Sequence, residues 1–154
     1  MKEGIGAMAD VQRTLAIVKP DAAGKPGVTG QILARIEERG LSIVGLKKIQ
    51  LTEEDARGFY AVHRERPFYG ELVEFMTSGP VVVVALEGDD AIQRWRDLMG
   101  PTDAAKAEPG TIRGDFGTDI ERNASHGSDA PETAKVELAY FFNAKEILGQ
   151  IEAL

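Results

Sequence analysis

The chain has 154 residues, no cysteine and a formal net charge of -7, from 18 Lys and Arg against 25 Asp and Glu. This length fits one domain that buries its own core, and the absence of cysteine excludes disulfides, thiolate nucleophiles and zinc–thiolate sites. The acidic balance argues against a general nucleic-acid binder, which usually carries a basic surplus or a basic stripe. Any anionic partner should therefore be a small molecule held by local positive charge.

Hydropathy predicts neither membrane insertion nor secretion. The longest apolar run, Val81–Leu86, is far shorter than a helix that spans a bilayer. The opening residues MKEGIGAMAD lack the continuous apolar core of a secretory signal. We therefore expect a cytoplasmic protein without a membrane partner, in which residues 1–10 form a mobile extension and residues 11–154 form a single domain.

The first half of the chain shows both strand and helix periodicity. Gly40 follows a helical apolar pattern at the position of a left-handed C-terminal cap. Thr52 precedes three acidic residues, which predicts a hydroxyl N-cap and favourable charges at a helix start. The elements predicted here are strands at 12–18 and 41–50 and helices at 28–40, 52–63 and 69–76.

The second half contains the longest stretch without periodicity, residues 100–118, which predicts a functional or mobile loop. An acidic cap is expected at Asp89, and the segment Asp129-Ala130-Pro131 is typical of a helix start with an N-cap and an early proline. The elements predicted here are strands at 81–86 and 139–142 and helices at 89–98, 132–138 and 144–151. Four strands with the helices on one side predict an α+β protein, a ferredoxin-like α/β sandwich with a four-stranded antiparallel sheet.

One of only two histidines lies in the stretch RNASHGSDAP, residues 122–131, among small residues. From the residues alone, His126 fits an exposed loop, a metal ligand or a nucleophile, and the exposed loop is the most ordinary of the three. The chain has no P-loop and no nucleophile elbow around Ser128. His63 and His126 cannot supply a metal site of three imidazoles.

Residues that bind phosphate elsewhere in proteins are concentrated near irregular backbone. Such a set is compatible with a phosphate clamp, and equally with solvated partners of surface carboxylates. The set comprises Lys19, Arg96, Thr102, Arg113, Arg122, Asn123 and Ser128.

Four stretches closely resemble the nucleoside diphosphate kinase family, in register over about residues 12–142: KPDA, RPFYGELVEFMTSGPVVV, GTIRGDF and NASHGSDAPETAKVE. The resemblance implies the ferredoxin-like fold. It also implies ping-pong transfer of the γ-phosphoryl group from a nucleoside triphosphate to another nucleoside diphosphate, with Mg²⁺ as the Mg-nucleotide, in a homo-oligomer that is a tetramer or a hexamer.

The resemblance implies that His126 is the nucleophile and becomes a pros-phosphohistidine. Glu137 would hold the second imidazole nitrogen together with Ser128, by the logic that orients a catalytic base in a triad. Tyr60 would lie near the histidine, although it is also a half-buried helix aromatic. The small neighbours Gly127, Ala124 and Ser125 are expected to leave room for an in-line phosphate.

Nucleotide contacts are also implied by the resemblance. Lys19 would meet the γ-phosphate and a ribose hydroxyl, and Asn123 the ribose. Stacking by Phe68 and Ile120 on the base predicts poor discrimination among bases, because every base has a π-face. The β- and terminal phosphates would be contacted by Arg96, Thr102 and Arg113.

No direct metal ligand is expected. Asp129 would hold a water of the nucleotide's Mg²⁺, although an N-cap explains it equally well. Leu72 is predicted to be core and His63 structural. Pro101 and Asp103 depart from the family pattern beside Thr102, and we expect them to affect affinity more than mechanism.

Two other functions fit the sequence. A member of the family could serve another phosphoryl acceptor, including protein histidines. A four-stranded α/β sandwich could also be a ligand-sensing regulatory domain without catalysis, but such a domain would not need the nucleophile His126.

Overall fold

A four-stranded antiparallel sheet lies at the centre of the computed structural model, which describes residues 10–149. The strands are β1 (Val11–Val18), β2 (Ser42–Ile49), β3 (Val81–Asp89) and β4 (Ser125–Gly127), in the spatial order β2-β3-β1-β4. The predicted ferredoxin-like α+β sandwich is confirmed. Residues 1–9 of the predicted extension and residues 150–154 lie outside the described residues.

Seven α-helices and three 3₁₀ turns connect and cover the strands in the described part of the chain. The turns are Ala61–His63, Ala104–Lys106 and Ala144–Glu146. No helix within residues 10–149 is long and apolar enough to cross a membrane. The α-helices are α1 (Pro20–Ala23), α2 (Val28–Glu38), α3 (Glu53–Phe59), α4 (Tyr69–Met76), α5 (Ala91–Met99), α6 (Ile112–Phe116) and α7 (Pro131–Phe141).

Two of the predicted helix ends are confirmed in atomic detail. Thr52 and Asp55 form a reciprocal capping box at the start of α3, with both hydrogen bonds at 3.0 Å. Gly40 has φ +80°, the left-handed conformation expected after a helix. The acidic cap predicted at Asp89 is wrong, because Asp89 ends β3; the side chain of Gln12 instead accepts from the Ile92 N–H in the first turn of α5, at 3.1 Å.

Helices cover both faces of the sheet, so the prediction that they lie on one side is wrong. Alternate residues of β3 point to opposite faces: Val82 and Val84 pack in a core with Trp95 of α5, while Val83 packs in a second core with Leu138 of α7. The continuous apolar run Val81–Leu86 already required this, since a strand without polar alternation must be covered on both sides.

The last third of the chain differs most from prediction. α7 continues to Phe141, so the strand predicted at 139–142 is wrong, and the fourth strand is β4, the segment that contains His126. Ala134, Leu138 and Phe141 are all buried at helical spacing, and an apolar segment this short does not distinguish helix from strand by itself. In place of the closing helix predicted at 144–151, the described residues contain the 3₁₀ turn Ala144–Glu146.

Candidate active site

His126 occupies the middle of β4 and pairs with Ile17 of β1. Strand alternation places its side chain on the sheet face that α7 covers, where the ring of Phe59 approaches edge-on at 5.5 Å between ring centroids. The His126 side chain is 20 % exposed. The interpretation of His126 as an exposed loop histidine is therefore wrong; the imidazole is held in a strand and remains accessible.

Glu137 of α7 fixes the orientation of this imidazole. Its Oε1 lies 2.9 Å from His126 Nε2 and also accepts a hydrogen bond from Ser128 Oγ at 2.7 Å. Because a carboxylate only accepts, the proton of the neutral imidazole lies on Nε2. The free lone pair of the imidazole is then on Nδ1, the pros nitrogen at which the resemblance implies phosphorylation.

Ser128 is itself fixed by β1. Its N–H donates to the Leu15 carbonyl and its Oγ accepts from the Leu15 N–H, both at 3.2 Å. The Ser128 side chain is fully buried and held in place, so its hydroxyl can orient the Glu137 carboxylate. The resemblance paired Ser128 with Glu137, and the structure links Ser128 to His126 through the Glu137 carboxylate.

Replacing Glu137 with Gln tests this orientation. The amide keeps the size of the carboxylate but can also present N–H groups to Nε2, which would favour the wrong tautomer and would not stabilise an imidazolium. Since the resemblance implies that His126 is phosphorylated, we expect this phosphorylation to slow by about 10²-fold, in the range by which positioned acid–base partners act. Single-turnover transfer from a triphosphate measures it, with Glu132→Gln, an exposed carboxyl on the same helix, as the control.

Gly127 is small for a different reason than the sequence suggested. A Cβ on Gly127 would lie 2.6 Å from Met99 Cε and 2.7 Å from Trp95 Cδ1, on the sheet face opposite to the His126 side chain. The indole Nε1 of Trp95 also donates to the His126 carbonyl, at 3.1 Å. Gly127 therefore leaves room for the indole under the strand and not for a phosphate.

Tyr60 lies at the end of α3, which stops at Phe59 instead of continuing to residue 63. Its ring packs edge-on against Phe59 at 4.9 Å, and its hydroxyl is buried without a hydrogen-bond partner among the described residues. Burial, followed by the negative charge of Glu137, raises the pKa of Tyr60 above its ordinary value. The hydroxyl therefore keeps its proton, as a donor near His126 would need.

A second hydrogen-bonded group joins the end of β1 to the loop before β4. Lys19 Nζ donates to Asn123 Oδ1 at 2.9 Å. The amide nitrogen of Asn123 donates to the carbonyls of Thr102 and Ile120, at 2.9 and 3.1 Å. Both Lys19 and Asn123 are buried, so Asn123 positions the lysine and ties together the two loop segments predicted to contact nucleotide.

Burial changes the basicity of Lys19. Desolvation, then the charge of Arg113, lowers the pKa of Lys19 to about 8, against smaller opposing effects of Asp21 and Glu121. A lysine ammonium held in this way is a strong attraction for phosphate, because little water competes for it.

The pH dependence of nucleotide binding should follow from this shift. Lys19 loses its charge as pH rises through about 8, so we expect kcat/KM for the triphosphate to fall on the alkaline side. The sign for stability is opposite: the unfolded chain holds this proton more tightly, so Lys19 makes the free energy of unfolding rise with pH between about 8 and 10.5. A pH profile of kcat/KM measures the first effect; Lys19→Arg, which does not titrate there, should remove that alkaline limb.

Arg113 connects the loop after α5 to β4, the strand that contains His126. Its two terminal nitrogens donate to the carbonyls of Gly100, at 3.0 Å, and Ser125, at 2.9 Å. The side chain is buried, and burial followed by the charge of Arg96 lowers the pKa of Arg113 to about 10. Arg113 belongs to α6, which with the turn Ala104–Lys106 replaces much of the loop predicted at 100–118.

The other predicted nucleotide contacts are exposed. Arg96 lies on α5 and Thr102 in the following loop. Phe68 and Ile120 are 41 % and 66 % exposed, a large apolar exposure for single side chains. The carboxylate of Asp103 accepts from the Ala105 N–H at 3.1 Å, so it caps the 3₁₀ turn.

Three further residues named from the sequence are Leu72, His63 and Asp129. Leu72 is half-buried and packs on the core, as predicted. His63 is half-buried between the rings of Tyr60 and Phe68, at centroid distances of 6.4 and 5.9 Å. Asp129 does not cap α7; its exposed carboxylate accepts from Thr133 Oγ1 at 2.6 Å.

The binding of a divalent cation would depend on the phosphates of a bound nucleotide. Within residues 10–149 no group of three His, Asp or Glu side chains could hold a metal ion. Mg²⁺ is commonly bound by one or two carboxylates together with substrate phosphates, so the residues present fit a cation that arrives on the nucleotide.

Three residues that contact His126 or the residue before β4 were not predicted from the sequence: Phe59, Trp95 and Asp21. Asp21 Oδ2 accepts from the Ala124 N–H, two residues before His126, at 3.0 Å. Only the motif K-P-D offered a signal for it. The aromatic residues carried no signal, because their contacts depend on tertiary packing.

A family model described as nucleoside diphosphate kinase matches residues 12–147. The nucleoside diphosphate kinase of Desulforapulum autotrophicum is 58 % identical over 139 residues, which are 90 % of this chain and 100 % of that protein. The one from Nitrosospira multiformis is 61 % identical over 132 residues, 86 % of this chain and 93 % of that protein.

Solved structures of two such enzymes are also similar. The nucleoside diphosphate kinase of Aquifex aeolicus has a TM-score of 0.87 and 53 % identity, with 90 % of this chain and 100 % of that chain covered. The halophilic enzyme from Halobacterium salinarum, in complex with CDP, has a TM-score of 0.86 and 44 % identity, with 92 % and 93 % covered.

Proposed function

The chain belongs to the nucleoside diphosphate kinase family and transfers the γ-phosphoryl group of a nucleoside triphosphate to a nucleoside diphosphate, and on that premise we propose that His126 carries the group between the two nucleotides. The observation that supports this most is the 2.9 Å contact of His126 Nε2 with Glu137, which leaves Nδ1 as the attacking atom.

The first half-reaction is attack of the Nδ1 lone pair on the γ-phosphorus. The N–P bond forms while the bond from phosphorus to the β,γ-bridging oxygen breaks, and the nucleoside diphosphate leaves with that oxygen. The imidazole gains positive charge, which the Glu137 carboxylate stabilises through Nε2–H. In the second half-reaction a terminal oxygen of the acceptor diphosphate attacks phosphorus and the N–P bond breaks, which regenerates neutral His126.

Charge on the transferred group is distributed over its three equatorial oxygens, so fixed cations supply much of the stabilisation. We propose Lys19 for the γ-phosphate and a ribose hydroxyl, and Arg113 with Arg96 and Thr102 for the β- and terminal phosphates. The hydrogen bonds of Lys19 and Arg113 support this. The Lys19 ammonium donates to Asn123, just before β4, and the Arg113 guanidinium donates to the carbonyl of Ser125, the first residue of β4.

We propose Asn123 for the ribose and Phe68 with Ile120 for the base. The exposure of Phe68 and Ile120 supports a stacking role without a hydrogen-bond code. The similar halophilic enzyme was solved with CDP. Mg²⁺ would supply charge neutralisation between the phosphates, and Asp129 would hold one of its waters.

The wider setting also belongs to this proposal. We propose one domain over residues 11–154, a cytoplasmic location, where nucleoside triphosphates are made and used, and a homo-oligomer, either tetramer or hexamer. Leu46 of the edge strand β2 and Leu148 are 49 % and 71 % exposed, which supports a subunit contact there. Light scattering would measure the mass of the assembly.

The chemistry is tested with γ-labelled ATP and Mg²⁺. We expect an acid-labile, base-stable phosphoenzyme that added GDP discharges as labelled GTP, and a ³¹P resonance of Nδ1-phosphohistidine. Absence of label on the protein would refute the phosphohistidine route. Label that GDP does not remove, but that a protein histidine accepts, would assign the chain a different phosphoryl acceptor.

A further inference from the structure

We propose that Asp21 is a positioning residue for the nucleophile: its carboxylate holds Ala124 at a positive φ, and this sets the direction in which β4 presents His126. The inference rests on the proposed role of His126 and concerns how that residue is held in place. Asp21 touches neither His126 nor the reacting atoms, so it acts through the backbone.

Ala124 has an unusual backbone conformation. Its φ is +74°, and within residues 10–149 only one other non-glycine residue, Asp90, has a positive φ. An L-residue is disfavoured there because its Cβ crowds the following carbonyl oxygen, and aspartate tolerates this region better than alanine does. A strained alanine persists only where its surroundings hold it.

The turn after β1 holds both backbone groups of Ala124. Its N–H donates to Asp21 Oδ2 at 3.0 Å, and its carbonyl accepts from the Lys19 N–H at 2.8 Å. Ala124 is fully buried in the core that contains Trp95. The segment 19–21 therefore fixes the residue that immediately precedes β4.

Asp21 is suited to hold this bond. It follows Pro20, the first residue of α1, whose ring restricts the backbone at the start of the turn. The other carboxylate oxygen of Asp21, Oδ1, is buried without a hydrogen-bond partner among the described residues. Burial raises the pKa of Asp21, and the Ala124 N–H is the first of the interactions that oppose this rise. The carboxylate thus loses hydration in order to reach Ala124.

The same turn carries Lys19, whose side chain is proposed to meet the transferred phosphate. One segment of three residues therefore contacts the residue before β4 through Asp21 and carries, at Lys19, the cation proposed to meet the phosphate. If Ala124 relaxed to a negative φ, the chain would enter β4 at another angle, and His126 would shift away from Glu137. In-line attack is sensitive to such shifts, since a displacement of about 1 Å can lower a rate by about 10²-fold.

Two substitutions separate the hydrogen bond from the charge. Asp21→Asn keeps an oxygen that can accept from the Ala124 N–H but removes the negative charge near Lys19, whereas Asp21→Ala removes both. We expect Asp21→Ala to slow single-turnover phosphorylation of His126 by about 10²-fold with a smaller change in KM, and Asp21→Asn to stay within about 5-fold of the unmodified protein. Equal rates for Asp21→Ala and the unmodified protein, or an Asp21→Asn rate as low as that of Asp21→Ala, would overturn the proposal.

A double-mutant cycle with Ala124→Gly tests the strain directly. Glycine adopts a positive φ without steric strain, so a chain with Gly at 124 depends less on being held. The loss caused by Asp21→Ala should then shrink from about 10²-fold to a few-fold in the Ala124→Gly background. A loss of the same size in both backgrounds contradicts the mechanism.

Glu146→Ala is a matched control. Glu146 also accepts from a backbone N–H, that of Asn143 at 2.9 Å, and pairs with Lys47 on β2, at the sheet edge opposite to β4. It should leave the phosphorylation rate unchanged whatever its effect on thermal unfolding. If Asp21→Ala does not fold, the phosphorylation rate of Asp21→Asn still tests the proposal. A rate within about 5-fold of that of the unmodified protein supports the hydrogen bond, and a loss of about 10²-fold assigns the effect to the charge and overturns the proposal. Absence of label on His126 in the unmodified protein would instead refute the proposed function, so the two failures are distinguishable.

Discussion

His126→Gln is expected to lower phosphoryl transfer between nucleotides by at least about 10⁴-fold, the scale seen when a covalent nucleophile is removed. Glutamine has similar length and can stay in β4, but its amide nitrogen has no basic lone pair that could attack phosphorus. A spectroscopic assay of diphosphate formation measures the loss, and the labelled phosphoenzyme should vanish with it. Equal labelling of His126→Gln would move the nucleophile to another residue.

His63→Gln provides the control for this experiment. His63 is the other histidine of the chain, and its ring packs between the rings of Tyr60 and Phe68. We expect its phosphoenzyme to form and discharge at rates close to those of the unmodified protein. A loss of label in both variants would indicate a general effect on folding, which circular dichroism would reveal.

Arg113→Ala is expected to have the second largest effect, because it affects both stability and catalysis. The substitution leaves the carbonyls of Gly100 and Ser125 without their donors, and hydrogen bonds from a charged group contribute about 1.5–3 kcal/mol each. We expect the free energy of unfolding to fall by about 3 kcal/mol and kcat by about 10²-fold, as for removal of one preorganised donor. Urea unfolding and steady-state kinetics measure the two effects.

Two further variants separate the two roles of Arg113. Arg113→Lys keeps a charge but cannot donate from two fixed positions, so it should recover little of the stability. Arg35→Ala removes another arginine that bridges a carbonyl, that of Gly110 at 3.3 Å, and a carboxylate, that of Asp115 at 2.7 Å. Since that pair is about a quarter exposed, we expect a loss below about 1 kcal/mol and no change in kcat. An unchanged kcat in Arg113→Ala would restrict Arg113 to a structural role.

The sequence was informative where one local pattern implied one structure. Gly40 and Thr52 were correctly placed at helix ends, because each satisfies backbone groups that a helix leaves open. The family motifs brought His126, Glu137 and Ser128 into one predicted cluster, and the structure joins their side chains within hydrogen-bond distance.

Prediction failed where the outcome depended on distant packing. The run Ala139–Phe142 is apolar enough for a strand, but α7 continues through it to Phe141 because Leu138 and Phe141 must meet the same core. Conversely, β4 is only three residues long and contains a glycine and a histidine, so no strand pattern was visible. Its structure depends on pairing with β1, to which the sequence gives no local clue.

The size of Gly127 illustrates the same limit. A small residue beside a candidate nucleophile suggested space for substrate, yet the space is filled from below by Trp95 and Met99. Sequence alone cannot distinguish the two sides of a strand until the pairing register is known.

Trp95 gives the protein a spectroscopic property. It is the only tryptophan in the chain, it is fully buried, and its indole N–H is bonded to the carbonyl of His126 itself. All intrinsic tryptophan emission therefore originates directly behind the strand on which the phosphoryl group is proposed to reside. A negative charge on the opposite side of that strand would act on a single, rigidly held fluorophore, so we expect phosphorylation at His126 to change the tryptophan emission of the unmodified protein.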